Sequence, residues 1–350
     1  MKATRPVSEH AVCPAMRVNL LKKLLRTVGY SLSLLLLAAA SYNCNAHDAE
    51  SDVLHTVGSI IHTTAAPLNA FKIAGRSPEN WMGALPDSVN LSQLSIPGSH
   101  DAGACYEPVA GIAKCQNLSI AAQLNIGVRF LDIRCRHVKN GFVINHGPFY
   151  QNLYFAEVIN TCAAFLRNHP GESIVMSIKE EYRADGCTHS FEQTFANYVR
   201  QYPGIWYLGE NVPALKEARG KIVLLRRFAA GNVKGIDASE WKKSTFSIDG
   251  KQASLRIEDD YVVANPQHKW KSMCTFFDEA RTAKGNTLYI GFASGYKPLL
   301  FSIPNITAVS KAINNGIAAY FTANTKGRFG IIPMDFADPS RVSLIFNTNF

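Results

Sequence analysis

Two histidines in this chain stand where ordinary histidines rarely do. His100 lies in Leu94-Ser-Ile-Pro-Gly-Ser-His-Asp-Ala-Gly103, and His146 lies in Phe142-Val-Ile-Asn-His-Gly-Pro148. Each follows a short apolar run and is followed closely by Gly or Pro, the pattern of a buried strand handing a polar residue to the turn at its end. Between them, Val128-Arg-Phe-Leu-Asp-Ile-Arg134 reads as a third strand on which Asp132 and Arg134, two apart, share a face. Two imidazoles, a guanidinium and nearby carboxylates supply a base, an acid and a fixed cation. That set suits acid–base chemistry on a phosphate ester. A lone histidine after a strand is more often structural, and His137, His169, His189 and His268 take that role.

The elements that must position these groups alternate along the chain. Strand-like apolar runs fall at Gln93–Ile96, Val128–Ile133, Phe142–Ile144, Ser173–Ile178, Lys221–Arg226, Ser254–Ile257, Thr287–Phe292 and Phe329–Met334. Helical spacing marks Ser119–Leu124, Phe155–Asn168, Phe191–Gln201, Met273–Ala283 and Ile306–Ala319. Repeated strand–helix alternation implies an α/β fold with a largely parallel sheet covered on its faces, and its closed form is a TIM-type (β/α)8 barrel. Such a barrel carries its functional residues at the C-terminal ends of the strands. His100, Asp132, Arg134, His146, Lys179, Glu181, Arg227, Asp259 and Asp335 all fall just after or at the end of strand runs. An open doubly wound sheet would also alternate, but no Gly-rich nucleotide turn follows the first strand. No linker or repeat divides residues 80–350, which therefore read as a single catalytic domain, preceded by an arm at 47–79.

Residues 1–46 read as a secretory signal. Lys22, Lys23 and Arg26 precede an apolar stretch from Val28 to Ala40, too short to span a bilayer comfortably, and Cys44-Asn45-Ala46 offers a cleavage site. Met16 is a second candidate start. The formal charge of +9 shrinks to +4 once this leader is removed, so the composition makes no case for nucleic acid. The secreted chain would keep six cysteines, Cys105, Cys115, Cys135, Cys162, Cys187 and Cys274. An even count in an oxidising compartment permits disulfides, with Cys105–Cys115 the most plausible local pair.

Taken in order, Leu94-Ser-Ile-Pro-Gly-Ser-His-Asp101, Gly127-Val-Arg-Phe-Leu-Asp-Ile-Arg134, His146-Gly-Pro148, Met176-Ser-Ile-Lys-Glu-Glu-Tyr182, Gly220-Lys-Ile-Val-Leu-Leu-Arg-Arg-Phe228 and Pro333-Met-Asp-Phe336 resemble the signature segments of bacterial-type phosphatidylinositol-specific phospholipase C. The resemblance covers about residues 80–350 and begins with Asn80-Trp-Met82 and Leu85-Pro-Asp-Ser88. It implies a distorted, incompletely closed barrel. It also implies cleavage of phosphatidylinositol, or of a glycosylphosphatidylinositol anchor, to diacylglycerol and inositol 1,2-cyclic phosphate. By position, His100 would be the general base oriented by Asp335, and His146 the general acid partnered by Asp101. Arg134 would face the phosphate. Lys179, Arg227, Asp259 and Tyr261 would line the inositol pocket with Asp132 and Glu181. Within Glu258-Asp-Asp260 the register of Asp259 is open by one residue.

Calcium-dependent relatives place an acidic ligand where this chain has Arg134, so the resemblance implies catalysis with no metal and no cofactor. Phe149, Tyr150, Trp241 with Lys242 and Lys243, and Tyr296 are candidates for a rim that touches the membrane. The expected protein is a secreted monomer in peripheral contact with a lipid surface, without a nucleic-acid partner. Two rivals stand beside it. One is a glycerophosphodiester phosphodiesterase, whose metal-binding Glu-x-Asp is absent where this chain has Asp132-Ile-Arg134. The other is a secreted, non-catalytic binder of inositol lipid or glycan on the same fold.

Overall fold

A computed structural model of the protein describes residues 76–108, 111–298 and 304–350. The signal segment, its cleavage position and nearly all of the arm lie outside the described residues. Strand β1 (Ser95–Ser99) is followed by α1 (Ile120–Asn125), the meander β2 (Phe130–Val138), β3 (Gly141–His146) and β4 (Phe149–Tyr154), and α2 (Phe155–Asn168). Next come β5 (Ile174–Glu180), α3 (Phe191–Gln201), β6 (Trp206–Tyr207), α4 (Leu215–Ala218), β7 (Ile222–Arg227) and β8 (Ile236–Asp237). The chain continues through β9 (Thr245–Asp249), β10 (Ser254–Glu258), α5 (Pro266–Thr282), β11 (Leu288–Gly291), β12 (Lys297–Pro298) and β13 (Pro304–Asn305). It ends with α6 (Ile306–Ala323), β14 (Gly330–Met334) and α7 (Pro339–Asn347).

The main sheet runs β6-β7-β5-β2-β1-β14-β11-β10-β9. From β6 to β10 every pairing is parallel, so the strands share one C-terminal rim. The first and last long strands lie side by side, with Ser99 opposite Met334, and this joins the two ends of the strand series. No ladder joins β6 to β9 among the described residues, and β9 runs antiparallel to β10. The result is a curled, incompletely closed TIM-type α/β barrel.

The central strands are apolar on both faces, as strands covered by helices outside and packed side chains inside must be. Ile174, Val175, Met176 and Ile178 of β5 and Ile222 to Leu225 of β7 are almost fully buried. Gly98 sits where β1 is squeezed between its neighbours. A Cβ there would meet Phe130 Cδ1 at 2.9 Å and Pro333 Cα at 3.1 Å. At the opposite rim from the histidines, buried Arg129 pairs with Glu172 at 2.7 Å and donates to the carbonyls of Leu124 and Val128, fastening the lower ends of β2 and β5.

The expected elements form, with instructive shifts. The first strand lies at Ser95–Ser99 rather than Gln93–Ile96, because residues 91–93 form a short 3-10 turn capped by Asn90. Helix α5 begins at Pro266, seven residues before the expected Met273, with Asn265 as its cap and Pro266 in the first turn. Strand β9 and helix α7 were not expected. The Cys105–Cys115 disulfide is a correction: all six described cysteines are free. Cys105 Sγ turns to the carbonyl of Leu118 at 3.3 Å, while Cys115 is buried beside His146.

Candidate active site

Pairing of the two terminal strands builds the first half of the site. His100 and Asp335 each occupy the position after neighbouring strands, and the Ser99–Met334 register sets them side by side. His100 Nδ1 lies 2.8 Å from Asp335 Oδ1, and the carboxylate is fully buried. Three further contacts fix this corner: His100 N donates to Met334 O at 3.0 Å, Gly295 N to Asp335 Oδ2 at 3.4 Å and Asn314 Nδ2 to Asp335 O at 2.9 Å. An anionic acceptor on Nδ1 assigns the ring proton to that nitrogen and leaves Nε2 as a base. Arg134 Nη2 then donates to Nε2 at 2.8 Å. Burial disfavours the imidazolium and Arg134 opposes it, but the charge and hydrogen bond of Asp335 outweigh both, so the His100 pKa is raised.

The second half is built by the β2–β3 hairpin. His146 ends β3, and its Nδ1 donates to the carbonyl of Ala113 at 2.8 Å, which leaves Nε2 facing Asp101 Oδ2 at 3.8 Å. Asp101 is fully buried with a left-handed φ of 41°, and its backbone N–H donates to Asp132 Oδ2 at 3.2 Å. Neither of its carboxylate oxygens has a hydrogen-bond partner, although Arg134 Nε approaches to 3.5 Å. Burial raises its pKa against the pull of Arg134 and His146.

A carboxyl that binds its proton more tightly in the folded state costs stability as pH rises above its ordinary value, and the cost is complete above the raised one. Asp101→Asn is therefore expected to raise the thermal midpoint at pH 7, by a few degrees for about 1 kcal/mol, because Asn also tolerates the left-handed backbone. The same change should cut turnover. A lowered midpoint in calorimetry would show that the carboxylate is stabilising.

Arg134, Lys179 and Arg227 stand opposite one another on β2, β5 and β7, forming a row of cations across the rim. Asp132, behind them and fully buried, takes contacts from Arg134 at 3.3 Å, Arg227 at 3.4 Å and the Ser177 hydroxyl at 3.3 Å. Burial raises the pKa of its carboxyl, but the two guanidiniums hold it well below the usual range. Asp132 is thus positioned to orient both arginines. Glu181 accepts from Lys179 Nζ at 2.6 Å and from Gly147 N, beside His146, at 3.0 Å.

Trp241, expected at a membrane rim, instead forms a wall of the site. Its Nε1 donates to Asp259 Oδ2 at 2.8 Å, the Arg227 guanidinium lies 3.7 Å over its ring, and Phe246 and Phe292 pack edge-on against it. The three adjacent acids point to different places. Glu258 pairs with buried Lys269 at 2.6 Å, Asp260 is exposed, and Asp259 reaches the Arg227–Trp241 face. Tyr261 lies 6.0 Å from the ring of Tyr296, with Lys243 over it at 5.7 Å. His137, packed on Phe142 and Phe191 with Nε2 2.8 Å from Thr194 Oγ1, is structural.

Sequence reasoning missed Gln116, whose Nε2 donates to the carbonyls of His100 and Met334 at 2.8 Å each and whose Oε1 accepts from Ala337 N. It clamps the two strand ends that carry His100 and Asp335. It also missed Cys115 and the Ala113 carbonyl; both lie in a loop without periodicity.

A curled barrel with paired imidazole–carboxylate groups around a rim arginine belongs to the class of acid–base enzymes built on strand-end sites. The comparisons narrow the class. Residues 88–228 match the family described as phosphatidylinositol-specific phospholipase C, X domain. A 1-phosphatidylinositol phosphodiesterase of Staphylococcus aureus (strain Newman) is 33% identical over 283 residues, covering 75% of this chain and 89% of that protein. A Staphylococcus aureus phosphatidylinositol-specific phospholipase C structure, solved in work on its membrane binding, superposes with a TM-score of 0.72 at 32% identity, covering 78% of this chain and 98% of that one. The Listeria monocytogenes phosphatidylinositol-specific phospholipase C gives 0.63 at 28%, covering 79% and 100%. The chain is a member of the bacterial-type phosphatidylinositol-specific phospholipase C family.

Proposed function

We propose that this protein is a phosphatidylinositol-specific phospholipase C that needs no metal and works by two-histidine acid–base catalysis. The observation that carries the reading is the pinning of both rings. Each histidine donates through Nδ1 to a fixed oxygen, Asp335 or Ala113, and so turns Nε2 toward the space around Arg134. In the reaction, the inositol 2-hydroxyl gives its proton to His100 Nε2 and its oxygen bonds to phosphorus, displacing the contact between Arg134 and that nitrogen. Tethering of the nucleophile beside phosphorus replaces a bound water. Arg134 donates to the non-bridging oxygens as charge grows there. His146, protonated on Nε2 beside Asp101, delivers a proton to the departing diacylglycerol oxygen as the P–O bond breaks. Inositol 1,2-cyclic phosphate remains.

Arg227, Lys179, Glu181 and Asp259 surround the inositol hydroxyls, and Tyr261 offers an aromatic face. Exposed Tyr106, Tyr150, Tyr154 and Tyr182 supply interfacial side chains for peripheral contact with the membrane. Among the described residues no helix is long and apolar enough to cross a membrane. The working form is a secreted monomer whose leader is removed near Ala46. In EDTA the protein should release diacylglycerol from phosphatidylinositol vesicles and none from phosphatidylcholine vesicles. Release only after calcium is added would refute metal-free catalysis.

A further inference from the structure

We propose that Cys115, His146 and Asp101 form a binding site for a thiophilic divalent cation of the zinc type, whose occupation shuts the enzyme off. The inhibitory part rests on the general-acid role given to His146 above; the binding part does not. One ligand atom from each of the three residues lies within 4.8 Å of the other two. The Cys115 thiol is fully buried with Sγ 3.9 Å from His146 Nδ1, and His146 Nε2 is 3.8 Å from Asp101 Oδ2. Both Asp101 oxygens are buried and lack any hydrogen-bond partner, with only the longer ion-pair approaches of Arg134 at 3.5 Å and His146 at 3.8 Å, so a cation would supply the close contacts they lack. Tetrahedral zinc, with bonds of about 2.0–2.3 Å, sets its ligand atoms roughly 3.3–3.7 Å apart. Because Nδ1 already donates to Ala113, Nε2 is the nitrogen a metal would take, and Sγ must move toward it from its place beside Nδ1.

Cys115 also lies within the same limit of His100 and Asp335. Those two are already joined at 2.8 Å, and an ion there would have to break that bond. The trio with the orphaned carboxylate is therefore favoured. Sulfur and imidazole donors select a borderline-soft ion, whereas Arg134 beside Asp101 disfavours hard calcium or magnesium. On binding, the thiol proton leaves to solvent and the metal takes Sγ, a ring nitrogen and a carboxylate oxygen. The carboxylate and imidazole that would protonate the leaving group are then occupied.

Cobalt(II) reports the site without turnover. Titration of the wild-type protein should give a thiolate-to-cobalt charge-transfer band in the near ultraviolet, which zinc displaces. Cys115→Ala should abolish the band. His146→Ala, which keeps the thiol, should weaken cobalt binding at least about tenfold. Zinc inhibition, expressed relative to each protein's own zinc-free rate, should weaken at least about tenfold in folded Cys115→Ala. No band in the wild type, or equal zinc sensitivity with and without Cys115, would overturn the proposal. If the protein proves inactive on phosphatidylinositol, the cobalt band still decides whether the site exists.

Discussion

Replacing His100 with alanine is expected to lower kcat on phosphatidylinositol by about 10²–10⁴-fold, the range that a positioned general base contributes. The loss should be similar for any leaving group, because the proton that His100 removes is on the nucleophile. The fold should survive, since Gln116, Asn314 and the β1–β14 ladder hold this corner without the imidazole. Linkage supplies a second readout. The raised His100 pKa means that the folded state holds this proton more tightly than the unfolded state does. His100 therefore contributes stability fully below about pH 6.5, and that contribution disappears as pH rises through the raised folded value. The stability cost of His100→Ala should accordingly be larger at acidic pH than at alkaline pH. Near-wild-type turnover in the folded variant would remove His100 from the base role.

His146→Ala should behave differently. On phosphatidylinositol, whose alkoxide leaving group is a strong base, loss of the general acid should cost about 10²–10⁴-fold. On an inositol phosphodiester with a nitrophenol leaving group, which departs without a proton, the loss should shrink to within about tenfold of wild type by the same reasoning. The proposed roles give this asymmetry, and the different partners agree with it: His146 faces Asp101, while His100 faces Arg134 and Asp335. Equal losses on both substrates would mean that the two histidines share one role or that His146 acts only through structure. Equal sensitivity of His100→Ala and His146→Ala to the leaving group would contradict the assignment of roles.

What the sequence revealed followed from periodicity. An apolar run ending in a polar residue and a glycine located His100 and His146, and alternation within Val128-Arg-Phe-Leu-Asp-Ile-Arg134 placed Asp132 and Arg134 on one face. The pairing of His100 with Asp335 required more, since these residues are 235 apart and meet only because the first and last strands are neighbours. The family resemblance supplied that link; periodicity alone did not. The loop carrying Ala113, Cys115 and Gln116 gave no signal, because one of its contributions is a backbone carbonyl, which any residue presents.

Trp241 was misplaced for a different reason. An aromatic beside two lysines looks the same whether it meets a membrane or supports a guanidinium, and only its stacking partner, Arg227, distinguishes the two. Two elements had legible signals that went unused. Asp249-Gly250 between apolar runs marks the β9–β10 hairpin, and Asp338-Pro339 is the cap and first turn of α7.

The central claim is intramolecular attack driven by protein groups alone, and phosphorus NMR of phosphatidylinositol vesicles incubated with the protein in EDTA tests it most directly. A five-membered cyclic phosphodiester resonance should appear first, with the acyclic inositol phosphate following slowly. An acyclic product appearing first, or turnover only after metal is restored, would contradict it.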